Sequence, residues 1–246
     1  MQGKRMSGGD LLRHEQVTDL VREKVYAKEW GVDGPIPSEN ELVGMLGISR
    51  GTVHKGIQAL VDEGLLVRHQ GRGTFAARPL MARPSNTKLV SFAESMDEQD
   101  IPYTTTVIER RVEKATGMCA AKLEIPDGCD YLYLTRVRSV RGRPVMFIES
   151  HINTEACPGI EDADFESESV FAAVERTSGR AVGRSQMTYS ACVAGKARGA
   201  WLECDEHTPV LNVDQLVRLE DDTPFEWGSV WLPANRCVLS NEVKRG

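Results

Sequence analysis

The first third of the chain alternates apolar and polar positions with the period of short amphipathic helices. Between positions 12 and 30 the apolar side chains are Leu12, Val17, Leu20, Val21, Val25 and Trp30, and the central four of them follow spacings of three and four. This spacing predicts a helix with one buried face. The run 31–37 contains two prolines and two glycines and is expected to end it.

Two further helices are predicted by their capping residues. Ser38 and Glu41 form a capping box, in which each side chain bonds the backbone N–H of the other residue. Gly47 suits the left-handed position that ends this helix. Ser49 can then cap a third helix that runs to Gly64. Two short helices joined by a tight, glycine-containing turn indicate a helix-turn-helix.

A short hairpin follows the third helix. Two β-type runs, 65–68 and 74–76, flank the turn Gln70-Gly71-Arg72-Gly73. Three helices followed by a two-stranded wing predict a winged helix-turn-helix.

Beyond position 90 the pattern changes to strands with short helices between them. Strands are predicted at 104–112, 131–140, 144–153, 184–193, 210–219 and 225–231, and helices at 91–100, 116–123, 169–178 and 196–202. Several of the strands form hairpins, so we expect a mostly antiparallel α+β domain. The prolines of 78–86 mark this segment as a linker. The predicted organisation is a flexible tail (1–9), a winged helix (10–77), the linker and a second domain (87–246).

Charge divides the chain at the same place. The net charge of −6 argues against nucleic-acid binding for the chain as a whole. Residues 86–246, however, carry 18 basic and 26 acidic side chains, whereas residues 45–85 carry six basic side chains and only two acidic ones. This asymmetry predicts two modules with different partners.

The predicted second helix of the helix-turn-helix begins with side chains suited to DNA. Arg50 can bind guanine or phosphate with two hydrogen bonds, and Thr52, His54 and Lys55 lie in the same turns. Arg72 at the wing tip can reach phosphate or the minor groove. The alternative is an ordinary solvated basic face, which would require the capping box, tight turn, basic helix start and wing to coincide by chance.

These motifs, from Pro37-Ser38-Glu39 through Ile48-Ser49-Arg50 to Gly71-Arg72-Gly73-Thr74-Phe75, resemble the DNA-binding domain of GntR-family bacterial transcription regulators over about residues 10–77. The resemblance implies DNA contacts from Ser38, Asn40, Ser49, Arg50, Gly51, Thr52, His54, Lys55, Gln70, Gly71, Arg72 and Gly73. Family members often carry Arg, Thr and Arg where Asn40, Gly51 and His54 stand, so the operator is expected to differ from the common family sequence.

In the second domain, Arg136 and Arg138 alternate on one predicted strand, so both guanidinium groups project from the same face. Such a pair suits a carboxylate, phosphate or phosphonate. Glu149 on the partner strand and Glu226 on a later hairpin could bind a hydroxyl or an amine, and Ser91 begins a helix whose N-terminus favours an anion. The alternative is a ladder of salt bridges between Arg136, Arg138 and Glu149 with no ligand.

The elements Ser91-Phe92, Leu134-x-Arg136-x-Arg138, Gly142-x-Pro144, Glu149 and Pro224-x-Glu226 resemble the UTRA effector-binding domain of the HutC-type branch of the GntR family. The resemblance implies a chorismate-lyase-like fold with an effector pocket lined by Ser91, Phe92, Arg136, Arg138, Glu149 and Glu226. Leu232 stands where relatives that recognise sugar phosphates often have tyrosine, which argues against a sugar-phosphate effector. The aromatic side chains are expected in the core or an interface: Tyr131, Tyr133, Tyr189, Trp227 and Trp231.

The combined interpretation is a cytoplasmic, ligand-responsive repressor, dimeric through its second domain and bound to a palindromic DNA operator. We expect no cofactor, no metal, no catalytic residues and no membrane span. Zinc binding by cysteines with His207 lacks a ligand spacing, and the six cysteines are expected to be reduced. Two alternatives remain open: a regulator that takes no small molecule, and a lyase-like enzyme.

Overall fold

The computed structural model describes residues 13–31, 33–77, 80–82 and 89–239. The chain folds as two units, Met1–Pro79 and Leu80–Gly246. The predicted tail 1–9 lies outside the described residues, as does most of the predicted linker.

The first unit is a winged helix-turn-helix, as the sequence predicts. Its elements are α1 (Arg13–Tyr26), α2 (Glu39–Leu46), α3 (Arg50–Asp62), β1 (Leu66–His69) and β2 (Gly73–Ala76), with β1 and β2 antiparallel. The predicted caps are present. Ser38 and Glu41 form the capping box of α2, Gly47 ends that helix with φ 64°, and Ser49 caps α3.

The first helix is shorter than its apolar pattern suggests. It ends at Tyr26, and Lys28 adopts φ 58° in the turn that follows. Trp30 nevertheless packs against the helical core, because its backbone N–H donates to the Lys24 carbonyl and brings the turn back onto α1. The core includes Val17, Leu42, Ile57 and Leu66.

The close approach of α1 and α3 depends on one glycine. A Cβ atom at Gly56 would lie 2.8 Å from Cβ of Val17 and 2.9 Å from the His14 carbonyl oxygen. Any side chain at this position would push the two helices apart.

The second unit is an antiparallel sheet with short helices on its faces. Its elements are β3 (Leu80–Ala82), α4 (Phe92–Asp97), β4 (Tyr103–Lys114), α5 (Gly117–Leu123), β5 (Asp130–Val140), β6 (Arg143–Asn153), a 3₁₀ turn (Ile160–Asp162), α6 (Val170–Ser178), β7 (Val182–Val193), α7 (Gly195–Trp201), β8 (Pro209–Leu219), β9 (Pro224–Pro233) and β10 (Cys237–Leu239).

The six long strands lie in the order β4-β5-β6-β9-β8-β7, with every neighbouring pair antiparallel. This register defines two faces, since directly opposed residues share a face. Face A carries Arg136, Ile148 and Val230, which oppose one another, whereas face B carries Phe147 and Trp231. Face A is covered by α4, α6 and the loop before α6, and face B by α5 and α7.

Part of the predicted linker is a strand of the second unit. Leu80–Ala82 pairs in parallel with the last strand, Cys237–Leu239. Next to β10, the buried Arg236 side chain donates to the carbonyl oxygens of Pro144, Leu202 and Glu203. These bonds fasten the start of β10 to the β5–β6 turn and to the end of α7.

Candidate DNA interface and effector site

The first two turns of α3 present a mixed surface. Arg50, Gly51, His54 and Lys55 are exposed, whereas Val53 is fully buried. This division follows from the helix period, which turns the polar positions away from the core. The exposed surface therefore lies at the N-terminal end of α3, which is the end that a recognition helix inserts into the major groove.

The hydroxyl groups at this end serve the helix cap. Ser49 Oγ accepts a hydrogen bond from the Thr52 N–H at 3.3 Å and lies 2.8 Å from Thr52 Oγ1. Ser38 is engaged in the same way at the start of α2, where its N–H donates to Glu41 Oε2 at 2.7 Å. Hydrogen bonds from the Ser38 hydroxyl and N–H hold the pKa of the Glu41 carboxyl below its usual range. Asn40 beside it is exposed.

The wing projects its predicted contact residues into solvent. Gln70, Gly71, Arg72 and Gly73 are all exposed. Gly71 and Gly73 adopt φ 72° and 106°, backbone conformations that favour glycine. The Arg72 N–H donates to the His69 carbonyl at 3.0 Å, which closes the turn beneath the arginine side chain.

Glu39 joins the three parts of this surface. Its Oε1 atom lies 2.9 Å from Nδ1 of His54 on α3 and accepts a hydrogen bond from Arg68 of β1 at 3.1 Å. Within the described part of the chain, no carboxylate lies within ion-pair distance of Arg50, Lys55 or Arg72. The surface thus contains two side chains bonded to Glu39, His54 and Arg68, and unpaired cations on either side of them.

Arg136 and Arg138 lie on face A of the second unit, and each is only 4% exposed. Arg136 Nη2 donates to Ser150 Oγ at 2.9 Å, while its buried Nε has no hydrogen-bond partner among the described residues. Burial lowers the pKa of Arg136, Glu226 opposes the shift and Arg138 adds to it, and the net result is a pKa of about 10. A buried guanidinium with an unused donor is costly and favours an anionic partner.

Glu226 reaches Arg136 through a serine. Ser150 Oγ donates to Glu226 Oε1 at 2.6 Å, and both residues are buried. Burial raises the pKa of Glu226, although Arg136 and Ser150 act in the opposite direction. Arg136 and Glu226 are therefore linked indirectly, with Ser150 between them.

Arg138 is surrounded by a second group of polar and aromatic residues. Its Nε donates to Thr105 Oγ1 at 3.3 Å, and its guanidinium carbon lies 4.8 Å from the centre of the Tyr103 ring. Burial lowers the pKa of Arg138, while Tyr103 and Asp97 oppose that shift. Tyr103 also donates to Asp97 on α4 at 3.3 Å.

The start of α4 belongs to the same region of face A. Phe92 packs with Met96 and Tyr103 in one apolar cluster. Ser91 forms the predicted capping box, in which its N–H donates to Glu94 Oε2 at 2.6 Å. Phe92 is therefore connected to Arg138 through Tyr103, whereas the Ser91 N–H is already bonded to a carboxylate rather than left for an anion.

The prediction that Glu149 belongs to this site is wrong. In the β5–β6 register Glu149 opposes Thr135, whereas Arg136 opposes Ile148. Glu149 therefore projects from face B, where one oxygen lies 4.0 Å from His151 Nε2. The ladder of salt bridges among Arg136, Arg138 and Glu149 cannot form for the same reason. The sequence signal pointed to the correct strand but to the wrong side of it, because a one-residue offset exchanges the faces.

Most of the aromatic residues predicted in the core are there. Tyr131 and Trp231 are buried on face B, and Tyr133 and Trp227 pack with Tyr131 under α5. Tyr189 differs, since it is 45% exposed on β7.

Three residues that organise these sites were not predicted from the sequence. Glu39 holds His54 and Arg68, Ser150 links Arg136 to Glu226, and Tyr103 lies against Arg138. Ser150 lies on the face of Arg136 because the β5–β6 register shifts between Arg138 and Ser139, and the sequence does not mark that shift. No local signal marks the other two.

Membrane-spanning and metal-binding features are absent from the described residues. None of their helices is long and apolar enough to cross a membrane. They also contain no group of three or more His, Cys, Asp or Glu side chains that could hold a metal ion. Within these residues the six cysteines are free thiols.

A winged helix with an exposed basic recognition surface, followed by an antiparallel α+β unit with buried arginines, defines a DNA-binding transcription regulator with a ligand-binding domain. Comparison with known families agrees with this class. Residues 13–76 match the bacterial regulatory proteins of the gntR family, and residues 98–237 match the UTRA domain. The chain belongs to the UTRA-containing branch of the GntR family.

Individual relatives cover most of the chain. The HTH-type transcriptional repressor NagR of Bacillus subtilis (strain 168) is 29% identical over 211 residues, covering 86% of both chains. The probable fructoselysine utilization operon transcriptional repressor of Escherichia coli (strain K12) is 26% identical and covers 98% of this chain and 100% of its own length. The crystal structure of PhnF from Mycobacterium smegmatis shares the fold, with a TM-score of 0.64 at 22% identity, covering 94% of this chain and 100% of PhnF.

Proposed function

We propose that this protein represses transcription by binding a DNA operator and that a small anionic or amphoteric metabolite, held by Arg136 and Arg138, controls the binding. The observation that carries the proposal is the burial of two guanidinium groups on one face, with an unused Nε on Arg136. The repressor role follows that of the relatives, NagR and the fructoselysine operon repressor.

The charge balance of the site supports an anionic ligand. Arg136 and Arg138 bring two positive charges into the interior, and the buried carboxylate beside them, Glu226, has a raised pKa. A bound carboxylate, phosphate or phosphonate would compensate the excess charge and use the free donor. Glu226 and Ser150 at the other end of the site suit a hydroxyl or amino group of the ligand.

On the DNA side, the proposed contacts come from α3, the start of α2 and the wing. Arg50, Lys55 and Arg72 are exposed and unpaired among the described residues, so they can bind phosphate or bases without first breaking an ion pair. A homodimer would present two such surfaces to a palindromic operator. Because the operator is part of the chromosome, the proposal locates the protein in the cytoplasm.

The effector can act only through a difference in affinity between two states of the protein. Phe92 packs in one cluster with Tyr103, which lies against Arg138. The segment before Ser91 leads back through β3 (Leu80–Ala82) to the boundary between the two units. A ligand that pulls on α4 would therefore change the constraint on that segment. Whether the ligand releases or promotes operator binding decides if it acts as inducer or co-repressor.

The proposal is tested by a gel-shift titration with DNA from upstream of the protein's own gene, in the presence of a panel of phosphates, carboxylates and amino acids. We expect a specific shift that at least one anionic compound changes. Arg136→Gln should abolish that response, with a loss of ligand binding of about 2–5 kcal/mol, while operator binding without ligand is retained.

Arg198→Gln is the matched control. Arg198 lies on face B, with its guanidinium carbon 4.0 Å from the centre of the Trp231 ring, so the ligand response should persist in this variant. Absence of any specific shift at physiological salt would contradict the DNA-binding part of the proposal. An unchanged ligand response in Arg136→Gln would contradict the effector part.

A further inference from the structure

The row of side chains across face A has a gap at Gly228. In the sheet register Gly228 opposes Ser150 on β6 and Gln215 on β8, so these three residues lie in one row. Because glycine contributes no side chain, the surface of the sheet has a notch between its two neighbours. The notch lies on the face that carries Arg136.

Two polar side chains from different strands flank this notch. A Cβ atom at Gly228 would lie 3.3 Å from Glu226 Oε1 and 3.5 Å from Gln215 Nε2, with no atom closer than 3.3 Å. These two side-chain atoms make no hydrogen bond with each other. Since both lie close to the same point, a single atom of a bound molecule can form hydrogen bonds with both of them.

Gln215 is the side chain that the folded chain leaves unused at the notch. It is only 8% exposed, and its side-chain amide makes no hydrogen bond with any residue that the structure describes. A side-chain amide offers two donors and one acceptor, and its burial without partners costs free energy. A buried amide that faces an open notch therefore points to a ligand that supplies the missing hydrogen bonds.

The hydrogen bonds beside the notch have a fixed direction. Arg136 Nη2 donates to Ser150 Oγ at 2.9 Å, and Ser150 donates in turn to Glu226 Oε1 at 2.6 Å. Glu226 Oε1 can accept another hydrogen bond, because a carboxylate oxygen has two lone pairs, whereas Gln215 Nε2 can only donate. The ligand group that fits between them must donate to Glu226 and accept from Gln215, and a hydroxyl does both with one oxygen atom.

The charges of the site favour a hydroxyl over an amino group at this place. A protonated amine donates hydrogen bonds but accepts none, so it would leave Gln215 Nε2 without a partner. It would also add a positive charge to a region in which Arg136 and Arg138 are already buried. A neutral hydroxyl avoids both costs.

We propose that Gly228, Gln215 and Glu226 form a hydroxyl-binding subsite, so that the effector is a hydroxylated anion whose charged group lies against Arg136 and Arg138. The inference rests on the proposed function and deepens it by naming residues that select the ligand. Gly228 leaves the space for the hydroxyl. Gln215 discriminates against an analogue that lacks it, because the amide would then stay buried without a partner.

The order of the strands limits the length of such a ligand. β5 with Arg136 and β9 with Gly228 are separated by β6 alone, and two strand spacings amount to about 10 Å. The side chain of Arg136 covers part of this distance, since it reaches Ser150 on β6. A short chain of atoms between the anion and the hydroxyl is therefore enough.

Matched pairs of small anions test the subsite. The probes are ω-hydroxyalkyl phosphates and ω-hydroxy carboxylic acids of increasing chain length, each paired with the compound in which a methyl group replaces the hydroxyl. Calorimetry on the full-length protein gives the ratio of the two affinities. We expect at least one chain length at which the hydroxylated member binds about tenfold tighter or more.

Two variants should remove this preference by different means. Gln215→Leu deletes the amide and keeps a side chain of similar size, so the hydroxyl loses its donor. Gly228→Ala fills the notch with a methyl group that would lie 3.3 Å from Glu226 Oε1. In both variants the ratio of affinities should fall to about one, and circular dichroism checks that each is folded.

Gln186→Leu and Gly44→Ala are the matched controls. Gln186 is exposed on face B, and a Cβ atom at Gly44 on α2 meets open space. Both variants should keep the natural preference for the hydroxylated member. Equal affinities within every pair for the natural chain would overturn the subsite, and so would a preference that survives in Gln215→Leu and Gly228→Ala.

Inorganic phosphate and Arg136→Gln separate this inference from the proposed function. If phosphate binds the natural chain but not Arg136→Gln, and no pair shows a hydroxyl preference, the subsite fails while the arginine site stands. If the preference is lost in Gln215→Leu but every affinity is unchanged in Arg136→Gln, the subsite stands and the arginine site fails. Absence of binding by every compound would contradict both.

Discussion

The arginines of the two proposed sites lie in opposite environments. Arg50 and Arg72 are exposed on the winged helix, whereas Arg136 and Arg138 are buried in the sheet unit. An exposed cation stays hydrated until it neutralises a DNA phosphate and releases the counterions condensed there. It therefore binds many sequences, and salt screens the interaction. A buried cation has already lost its water, so it favours an anion that fits the site and is weakly screened.

The largest expected difference is in salt dependence. If each half of a dimer contributes Arg50, Lys55 and Arg72, about six phosphate contacts are made, and operator affinity should fall about a thousandfold between 50 and 200 mM salt. Effector affinity, measured by calorimetry over the same range, should change by only a few-fold. Equal salt slopes for the two ligands would remove the distinction between the two kinds of site.

Within the DNA-binding unit, substitutions in the recognition helix and in the wing should have different effects on DNA binding. Arg50→Ala should weaken binding to the operator by about 1–3 kcal/mol and relax its sequence preference. Arg72→Ala should weaken binding to operator and random DNA alike and lower the salt slope by about one for each head. Gel shifts on both DNAs at several salt concentrations measure the two effects.

Lys28→Asn serves as the control for lost charge. It removes a positive charge outside helix α3 and the wing, at a position with φ 58° that asparagine tolerates. Binding close to that of the natural chain is expected. If Lys28→Asn weakened DNA binding as much as Arg50→Ala, binding would depend on the net charge of the unit and not on the position of each positive charge.

The smallest effect concerns pH in the buried site. Because the pKa of Glu226 is raised in the folded protein, its contribution to stability is greatest below the ordinary glutamate range and is lost as pH rises through the folded value. Glu226→Gln removes this dependence. The free energy of unfolding of the variant, relative to the natural chain, should therefore increase by about 1.4 kcal/mol for each pH unit between the unfolded and the folded pKa of Glu226.

Urea unfolding between pH 4.5 and 7, followed by tryptophan fluorescence in a Trp30→Phe background, measures this change in the second unit. Glu124→Gln is a control of opposite sign, measured from pH 4.5 down to about 3, because the hydrogen bond from Arg218 lowers the pKa of Glu124 and its contribution to stability is lost only as pH falls below the ordinary glutamate range. A flat difference between Glu226→Gln and the natural chain across this range would show that Glu226 titrates normally.

Local rules predicted the helical unit well. Ser38 with Glu41, Gly47 and Ser49 fix the ends of α2 and α3 through bonds between near neighbours, so the sequence window contains all the partners. The hairpins of the second unit were predicted for the same reason. The end of α1 was not, because Trp30 contributes to the apolar pattern from a turn and not from the helix.

The composition of the buried site was only partly predictable. Arg136 and Arg138 follow from strand alternation, but the face of Glu149 depends on the β5–β6 register, which shifts between Arg138 and Ser139. Tyr103 and Asp97 come from elements that local sequence does not relate to β5.

The parallel pairing of Leu80–Ala82 with Cys237–Leu239 bears on protein engineering. The first described strand of the sheet unit therefore lies directly beside its last described strand. A chimera that fuses a foreign DNA-binding head to this sensor should be joined before Leu80, and it should keep the residues after Arg236. A shorter fragment would remove one strand of that pair and leave the other without its partner.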